Sequence, residues 1–396
     1  MANPAYAPLP DLCPAIEAMQ PAILERYHAL HRIPEVGLSL PRTVAYVTAQ
    51  LDALSIPYEV LPEASGIVAT LGSGSGPVIG IRADMDALAV KEDSGLPFAA
   101  EDCDAMHACG HDAHTAILLG TARALKRAEK DLNCRVKLLF QSNEEGEESG
   151  ACAMVEDGVM EDIDEVIALH TEYSLPTGQI GLFSGPYMAA CHPYTIEFHG
   201  KSVHATVPQN GRDALAMAVK SYNDIYLMKC RELNPFSPHV LSISCIQGGT
   251  AHNVIAETAA MKISFRFYDM ETHDKVDSRI KQICRNAAEE LGGTVEFSDR
   301  ISAYAVINDA AVTERVRTAA VKTVGAENVV QVPQKLSSED FSHFLRKKPG
   351  MLFRLGVGNP ELGCTEPPHT AKFKLDEDAL ILGAQTFVQY ALDMGN

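Results

Sequence analysis

Val136-Lys137-Leu138-Leu139-Phe140-Gln141-Ser142-Asn143-Glu144-Glu145 reads as a short apolar strand that runs directly into a pair of carboxylates. The same grammar recurs along the chain. Val78-Ile79-Gly80-Ile81 leads into Arg82-Ala83-Asp84-Met85-Asp86, and Glu165-Val166-Ile167-Ala168-Leu169 ends at His170. Met351-Leu352-Phe353-Arg354-Leu355 precedes a Gly/Pro-rich loop that carries His369. Residues 66–71 read as a further strand. Helical patterns lie between these runs, at 15–33 (apolar at Ile16, Met19, Ile23, Tyr27 and Leu30), 41–54 and 116–129. Alternating strands and helices predict a mostly parallel α/β sheet, and such sheets bind ligands in the crevice outside the carboxyl ends of their strands. Asp84, Glu144, Glu145 and His170, far apart in sequence, are therefore expected at one rim.

The densest chemistry is Met106-His107-Ala108-Cys109-Gly110-His111-Asp112-Ala113-His114-Thr115, one thiol and three imidazoles within ten residues. Imidazole and thiolate are the donors that suit zinc. A buried inert Cys beside helix-capping histidines would explain a lone pair, but not this cluster together with Glu144-Glu145. The helix that follows starts near Asp112, whose carboxylate suits a helix N-terminus.

The 396 residues allow two or three domains. A net charge of −19 argues against a nucleic-acid or anionic-membrane surface, while leaving room for a local cation that holds an anionic small molecule. Ten scattered cysteines without a C-x-x-C pair fit a reduced, cytoplasmic protein. Residues 1–16 lack a basic region followed by an apolar run, so no signal peptide is expected, and no apolar stretch is long enough to span a membrane. Gly72-Ser73-Gly74-Ser75-Gly76-Pro77 imitates a phosphate loop but is followed by Pro and a strand, not a helix, and is read as a hairpin connection.

Between about 194 and 304 the rhythm becomes β-α-β-β-α-β: strands at 195–199, 239–247, 257–267 and 294–297, and helices at 213–229 and 271–291. That order is the ferredoxin-like arrangement, and it reads as an insertion. The predicted architecture is a mostly parallel-sheet α/β domain in two parts, 1–190 and 304–396, with an inserted ferredoxin-like domain at 191–303.

The collected donors are Cys109, His111, Glu144, Glu145, His170 and His369, with Asp84 and Asp112 nearby. They exceed what one structural zinc needs and suit a catalytic site, with two metals about 3.5–4 Å apart as one arrangement. Adjacent glutamates on an extended backbone point apart, so one is expected to bind metal while the other faces the substrate as general base. Glu147 and Glu148 are read as solvated, and His107 and His114 as supporting residues. His28, His192, His199, His239, His273 and His343 are read as ordinary.

Arg82-Ala83-Asp84-Met85-Asp86-Ala87-Leu88, 106–115, Asn143-Glu144-Glu145-Gly146, Gly200-Lys201-Ser202-Val203-His204-Ala205 and Ser338-Glu339-Asp340-Phe341 together resemble the peptidase M20 superfamily. The branch they resemble is the amidohydrolases of N-acyl amino acids: hippurate hydrolase, indole-acetyl-amino-acid hydrolase, N-acyl-L-amino acid amidohydrolase and N-acetyldiaminopimelate deacetylase. The resemblance implies a metal-dependent enzyme holding two divalent ions, zinc or manganese with cobalt as an option, through Cys109, His111, Glu145, His170 and His369. Cys109 would stand where most of the superfamily has a bridging Asp. Glu144 would be the general base, His204 would stabilise the oxyanion, and Asp84 and Asp112 would support the ligands from behind. Asn253 and Arg266 would hold the substrate's backbone or α-carboxylate. The implied partners are a small-molecule substrate with an α-carboxylate and a second copy of the chain, docked through the insert.

The sequence departs from the family pattern at Pro367-Pro368-His369-Thr370, Gln141-Ser142-Asn143, Ser202-Val203 and Ser264-Phe265-Arg266, without losing a donor. A dipeptidase or carboxypeptidase using the same centre is the alternative, and a non-catalytic metal binder would require a missing base or ligand.

Overall fold

A computed structural model describes residues 19–62, 66–72, 75–101 and 104–394. The expected leader-free start, and the first residues of the helix predicted at 15–33, lie outside that range. In chain order the elements are α1 (Gln20–His31), α2 (Pro41–Ala53), β1 (Tyr58–Val60), β2 (Ile67–Leu71), β3 (Val78–Asp84), α3 (His111–Arg127), β4 (Arg135–Gln141), α4 (Gly150–Glu156) and β5 (Glu165–Pro176). There follow β6 (Ile180–Leu182), β7 (Gly185–Met188), β8 (Ala190–His199), α5 (Ala214–Glu232), β9 (Val240–Gly248), β10 (Thr258–Phe267), α6 (Met270–Glu290) and β11 (Thr294–Asp299). The chain closes with β12 (Val306–Asn308), α7 (Ala310–Val324), β13 (Val329–Gln331), α8 (Ser342–Leu345), β14 (Gly350–Gly358) and α9 (Ala379–Asp393).

Two compact units result. One comprises the chain up to Tyr187, Ile307–Gln334, and everything from Asp340 on; the other comprises Met188–Val306 and Lys335–Glu339. The first is built on an eight-stranded sheet of order β1-β2-β4-β3-β5-β14-β6-β13. Its centre is parallel, through the β3–β4, β3–β5 and β5–β14 pairs. β3 and β14 are buried along their whole length, as expected of strands covered by helices on both faces. The helices that cover them are buried nearly all round: α9 buries every residue from Ala379 to Ala391, and α3 buries fourteen, including His111, Asp112 and His114.

The glycine-rich segment at 72–77 is not a hairpin. β2 pairs antiparallel with β4, and β4 pairs parallel with β3, so β4 lies between the two strands that the segment joins. Local turn signals cannot reveal that a later strand fills the gap.

The second unit is a four-stranded antiparallel sheet of order β11-β8-β10-β9, backed by α5 and α6. This is the strand order of a ferredoxin-like βαββαβ unit. Asp213 and Asp269 cap its two helices, each accepting hydrogen bonds from first-turn backbone N–H groups. Among the described residues no helix is long and apolar enough to cross a membrane.

Candidate metal centre

Strand ends deliver the site. β3 runs beside β5 only as far as the Arg82–Ala168 pair, so His170 stands two residues past that last pairing, on a rim. Asp84 is the last residue of β3, and Glu144 and Glu145 follow β4 by three and four residues. α3 starts at His111, with Cys109 and Gly110 immediately before it. Gly110 is obligatory there: its φ is +88°, and a Cβ would meet Thr171 Oγ1 at 2.8 Å. His369 also has a positive φ, +67°, and its backbone N–H donates to Ala108 O at 2.8 Å, which ties the last loop to the cluster.

Two triplets of donor atoms emerge. Cys109, His111 and His170 each offer an atom within 4.8 Å of the others, and so do Cys109, Glu145 and His369. Cys109 belongs to both. Donors around one tetrahedral zinc lie about 3.3–3.8 Å apart, so each triplet needs only slight contraction to close on an ion. Cys109 Sγ is already 3.5 Å from His170 Nε2, and Glu145 Oε1 is 3.0 Å from His369 Nε2.

The polar groups around the donors leave the metal-facing atoms exposed to the centre. His170 Nδ1 lies 2.7 Å from Thr171 O, which fixes its proton there and leaves Nε2 as a lone-pair donor. His111 Nδ1 is 3.2 Å from Asp86 Oδ1, while His111 Nε2 is buried without a hydrogen-bond partner among the described residues. Such a nitrogen, aimed at a thiol and carboxylates, fits a metal ligand. Burial pushes the Cys109 thiol up to about 12, against the pull of His111. A divalent cation beside it would displace that proton. Burial, then Arg354, holds His170 well below the ordinary imidazole value, so it stays neutral and able to coordinate. For His111, burial opposes charge, but Asp84, Cys109 and the Asp86 hydrogen bond prevail and hold it well above the ordinary value. In His369 the Glu145 hydrogen bond raises the value against burial. The residues therefore fit a pair of metal ions sharing Cys109.

The twin glutamates behave differently from expectation. They lie in a bend that follows Asn143, whose φ is +48°, not on an extended backbone. Glu144, Glu145 and His111 consequently bring donor atoms within 4.8 Å of one another. Glu147 and Glu148 are exposed.

The acids behind the ligands are also distributed differently. Asp84 is fully buried, receiving Arg82 Nη1 at 2.7 Å and facing His114 Nδ1 at 2.6 Å, with His111 Nε2 farther off at 3.7 Å. His114 Nε2 accepts the Thr171 N–H at 3.0 Å, so His114 is committed to positioning the strand that carries His170. Asp112 does not touch the centre: its Oδ2 lies 2.6 Å from His31 Nδ1. His107 is buried beside the cluster, with neither ring nitrogen hydrogen-bonded among the described residues.

Asp86 is the residue that sequence reading passed over. It holds His111 with one oxygen and accepts the Glu145 backbone N–H with the other at 3.0 Å, linking two of the candidate donors. Its signal was a second acid two residues after Asp84, just past the end of β3. Arg82 fills its place structurally, with Nε on Gln141 Oε1 at 2.8 Å and Nη2 on Asp340 Oδ1 at 3.0 Å.

In the second unit, His204 is exposed and bridges to Val254, with Nδ1 2.8 Å from Thr206 Oγ1. Asn253 is exposed on the β9–β10 loop, its carbonyl accepting the Ala205 N–H at 2.9 Å. Arg266 is at the other end of β10, donating to Ser338 Oγ at 2.9 Å. The register pairs Thr258 with His199 and Arg266 with Cys191, eight residues apart. At a strand rise of ~3.3 Å per residue, roughly 26 Å separates those rows. His204, bridged to Val254 ahead of β10, and Arg266 near its far end therefore lie at opposite ends of this sheet.

Residues 80–393 match the model of Peptidase family M20/M25/M40. Thermostable carboxypeptidase 2 of Saccharolobus solfataricus is 34% identical, over 96% of this chain and 97% of that protein. The N-acetyl-L-cysteine deacetylase of Bacillus subtilis is 34% identical, over 89% of this chain and 83% of that protein. The crystal structure of Bacillus subtilis YXEP, described as a dinuclear metal binding peptidase from the M20 family, superposes with a TM-score of 0.82. It is 30% identical and covers 95% of this chain and 98% of that one.

Proposed function

The chain belongs to the M20/M25/M40 peptidase family, and from that premise we infer that it is a metal-dependent amidohydrolase that cleaves N-acyl amino acids into a carboxylate and a free amino acid. The observation that carries the reading is the pair of donor triplets sharing Cys109, with the Glu144 carboxylate beside them. Two divalent ions held by Cys109, His111, Glu145, His170 and His369 would polarise the scissile carbonyl and acidify a water. A thiolate donor favours zinc, with manganese or cobalt as alternatives.

Glu144 accepts a proton from the attacking water and returns it to the departing amine nitrogen. Asp86 holds His111 and the Glu145 backbone in register while charge shifts across the centre. Arg266 receives the substrate α-carboxylate through its planar fork, and Asn253 binds the substrate backbone. His204 stabilises the oxyanion. Because His204 and Arg266 lie far apart within one insert, the reading includes a homodimer in which the two come from different copies. The insert acts as a lid.

The experiment is a panel of N-acyl amino acids and matched dipeptides, assayed with zinc, manganese and cobalt. Faster turnover of acyl amino acids supports deacylation. The similarity to a carboxypeptidase favours the second reading, peptide cleavage at the same centre, and preferential turnover of dipeptides would select it.

A further inference from the structure

The end of α3 remote from His111 has a charge environment of its own. Arg123, Lys126 and Arg127 on its last turns, Arg26 on α1, and Ala53 and Leu54 at the end of α2 line a cavity of about 340 Å³. Four of the six lining residues are cations and none is an acid, in a chain of net charge −19. At 1.5 Å per residue, Arg123 and Arg127 lie about 18 and 24 Å along the helix from His111, so this cavity is no part of the metal centre.

Its cations are poorly neutralised. Lys126 has Glu129 at 2.7 Å, a partly exposed pair of little energetic weight. Arg26 is 8% exposed; its Nη1 donates to Ala22 O at 2.7 Å, but its Nε is buried with no hydrogen-bond partner among the described residues. Burial lowers the Arg26 value; Tyr46 opposes this, the like charge of Arg123 adds to it, and the exposed Glu25 opposes it least. A buried guanidinium donor without an acceptor is costly, and two arginines on one concave wall repel. An anion in the cavity relieves the repulsion. A carboxylate carries one negative charge and satisfies one fork. A phosphoryl group brings close to two charges and three acceptor oxygens, matching several converging donors. The cavity is at the small end of the range for ligand sites, with room for a compact body behind the phosphoryl group.

We propose that this cavity is a binding site for a phosphoryl dianion, free or carried on a small metabolite, seated between Arg26 and Arg123 with Lys126 and Arg127 at its mouth. The test is calorimetric titration of the metal-loaded protein at low ionic strength, with inorganic phosphate and separately with ribose 5-phosphate. The proposal expects saturable binding of at least one of them, weakened about tenfold or more in Arg123→Gln and in Arg127→Gln, the loss expected when one charge-assisted hydrogen bond is deleted. Tighter binding of the sugar phosphate identifies a phosphorylated metabolite as the occupant, and equal binding identifies the free anion. Thermal melting without ligand checks that both variants fold. Affinity unchanged in the two variants would place the anion elsewhere, the metal centre included, and overturn the proposal. Absence of saturable binding by either probe would overturn it as well.

Discussion

Asp86 Oδ1 lies 3.2 Å from His111 Nδ1, and Asp86 Oδ2 accepts the Glu145 backbone N–H at 3.0 Å, so one buried carboxylate sets two donors from different elements. Removing it frees the imidazole to change tautomer and the 144–145 bend to drift. Asp86→Ala is expected to weaken metal binding about 10–100-fold, the usual scale for partners that orient ligands. Competition against a chelator of known affinity measures this, and unchanged affinity would show that Asp86 is dispensable.

Gly110 makes the second prediction. Its φ of +88° and the 2.8 Å approach of a would-be Cβ to Thr171 Oγ1 leave no room for a side chain. Gly110→Ala is expected to cost on the order of 1–2 kcal/mol from the backbone alone, with weaker metal binding as Thr171 and its neighbour His170 shift. Urea melts with and without metal separate the two effects. A variant as stable as the parent with full metal affinity would contradict the account.

The third prediction concerns pH. Burial alone would lower the His31 value, but Asp112 and Glu92 outweigh it and raise it from 6.5 to about 10. A raised value means that the ion pair's contribution is fully present below the unfolded value, about pH 6.5, and is lost as pH rises through about 10. The partner acids Asp112 and Glu92 are lowered, so their contributions are lost as pH falls through the carboxylate range. His31→Gln is therefore expected to destabilise by a few kcal/mol near pH 6 and by much less near pH 10. Denaturant melts of both proteins at the two pH values check the sign, and a penalty that grows with pH would refute it.

The sequence made some layers of this molecule legible and hid others. The apolar runs leading into Asp84, Glu144 and His170 announced the rim, because a buried parallel strand reads as a continuous apolar run. Only Asp84 ends its strand, however: β4 stops at Gln141 and β5 continues past His170 to Pro176, where its pairing with β14 carries it on. The β-α-β-β-α-β order of the second unit was legible for a related reason: alternating strands and long amphipathic helices have distinct periods. What stayed hidden was pairing. Nothing near residues 72–77 signals that β4 separates β2 from β3, because strand order is set by distant packing. The bend at Asn143 undid an argument that assumed extended backbone for Glu144 and Glu145. Asp86 and Asp84 look alike in sequence, and only side-chain direction decides which one holds His111. The pairing of Asp112 with His31 joins residues 81 positions apart and has no local signature.

In the proposed reaction Glu144 moves the proton in amide hydrolysis at a centre assembled by Cys109, His111, Glu145, His170 and His369. The most direct measurement is metal content and turnover of an N-acyl amino acid by Glu144→Gln beside the parent protein. The expected result is two metals per chain retained and turnover reduced by roughly 10²–10⁴-fold or more. Near-normal turnover with metals in place would contradict it.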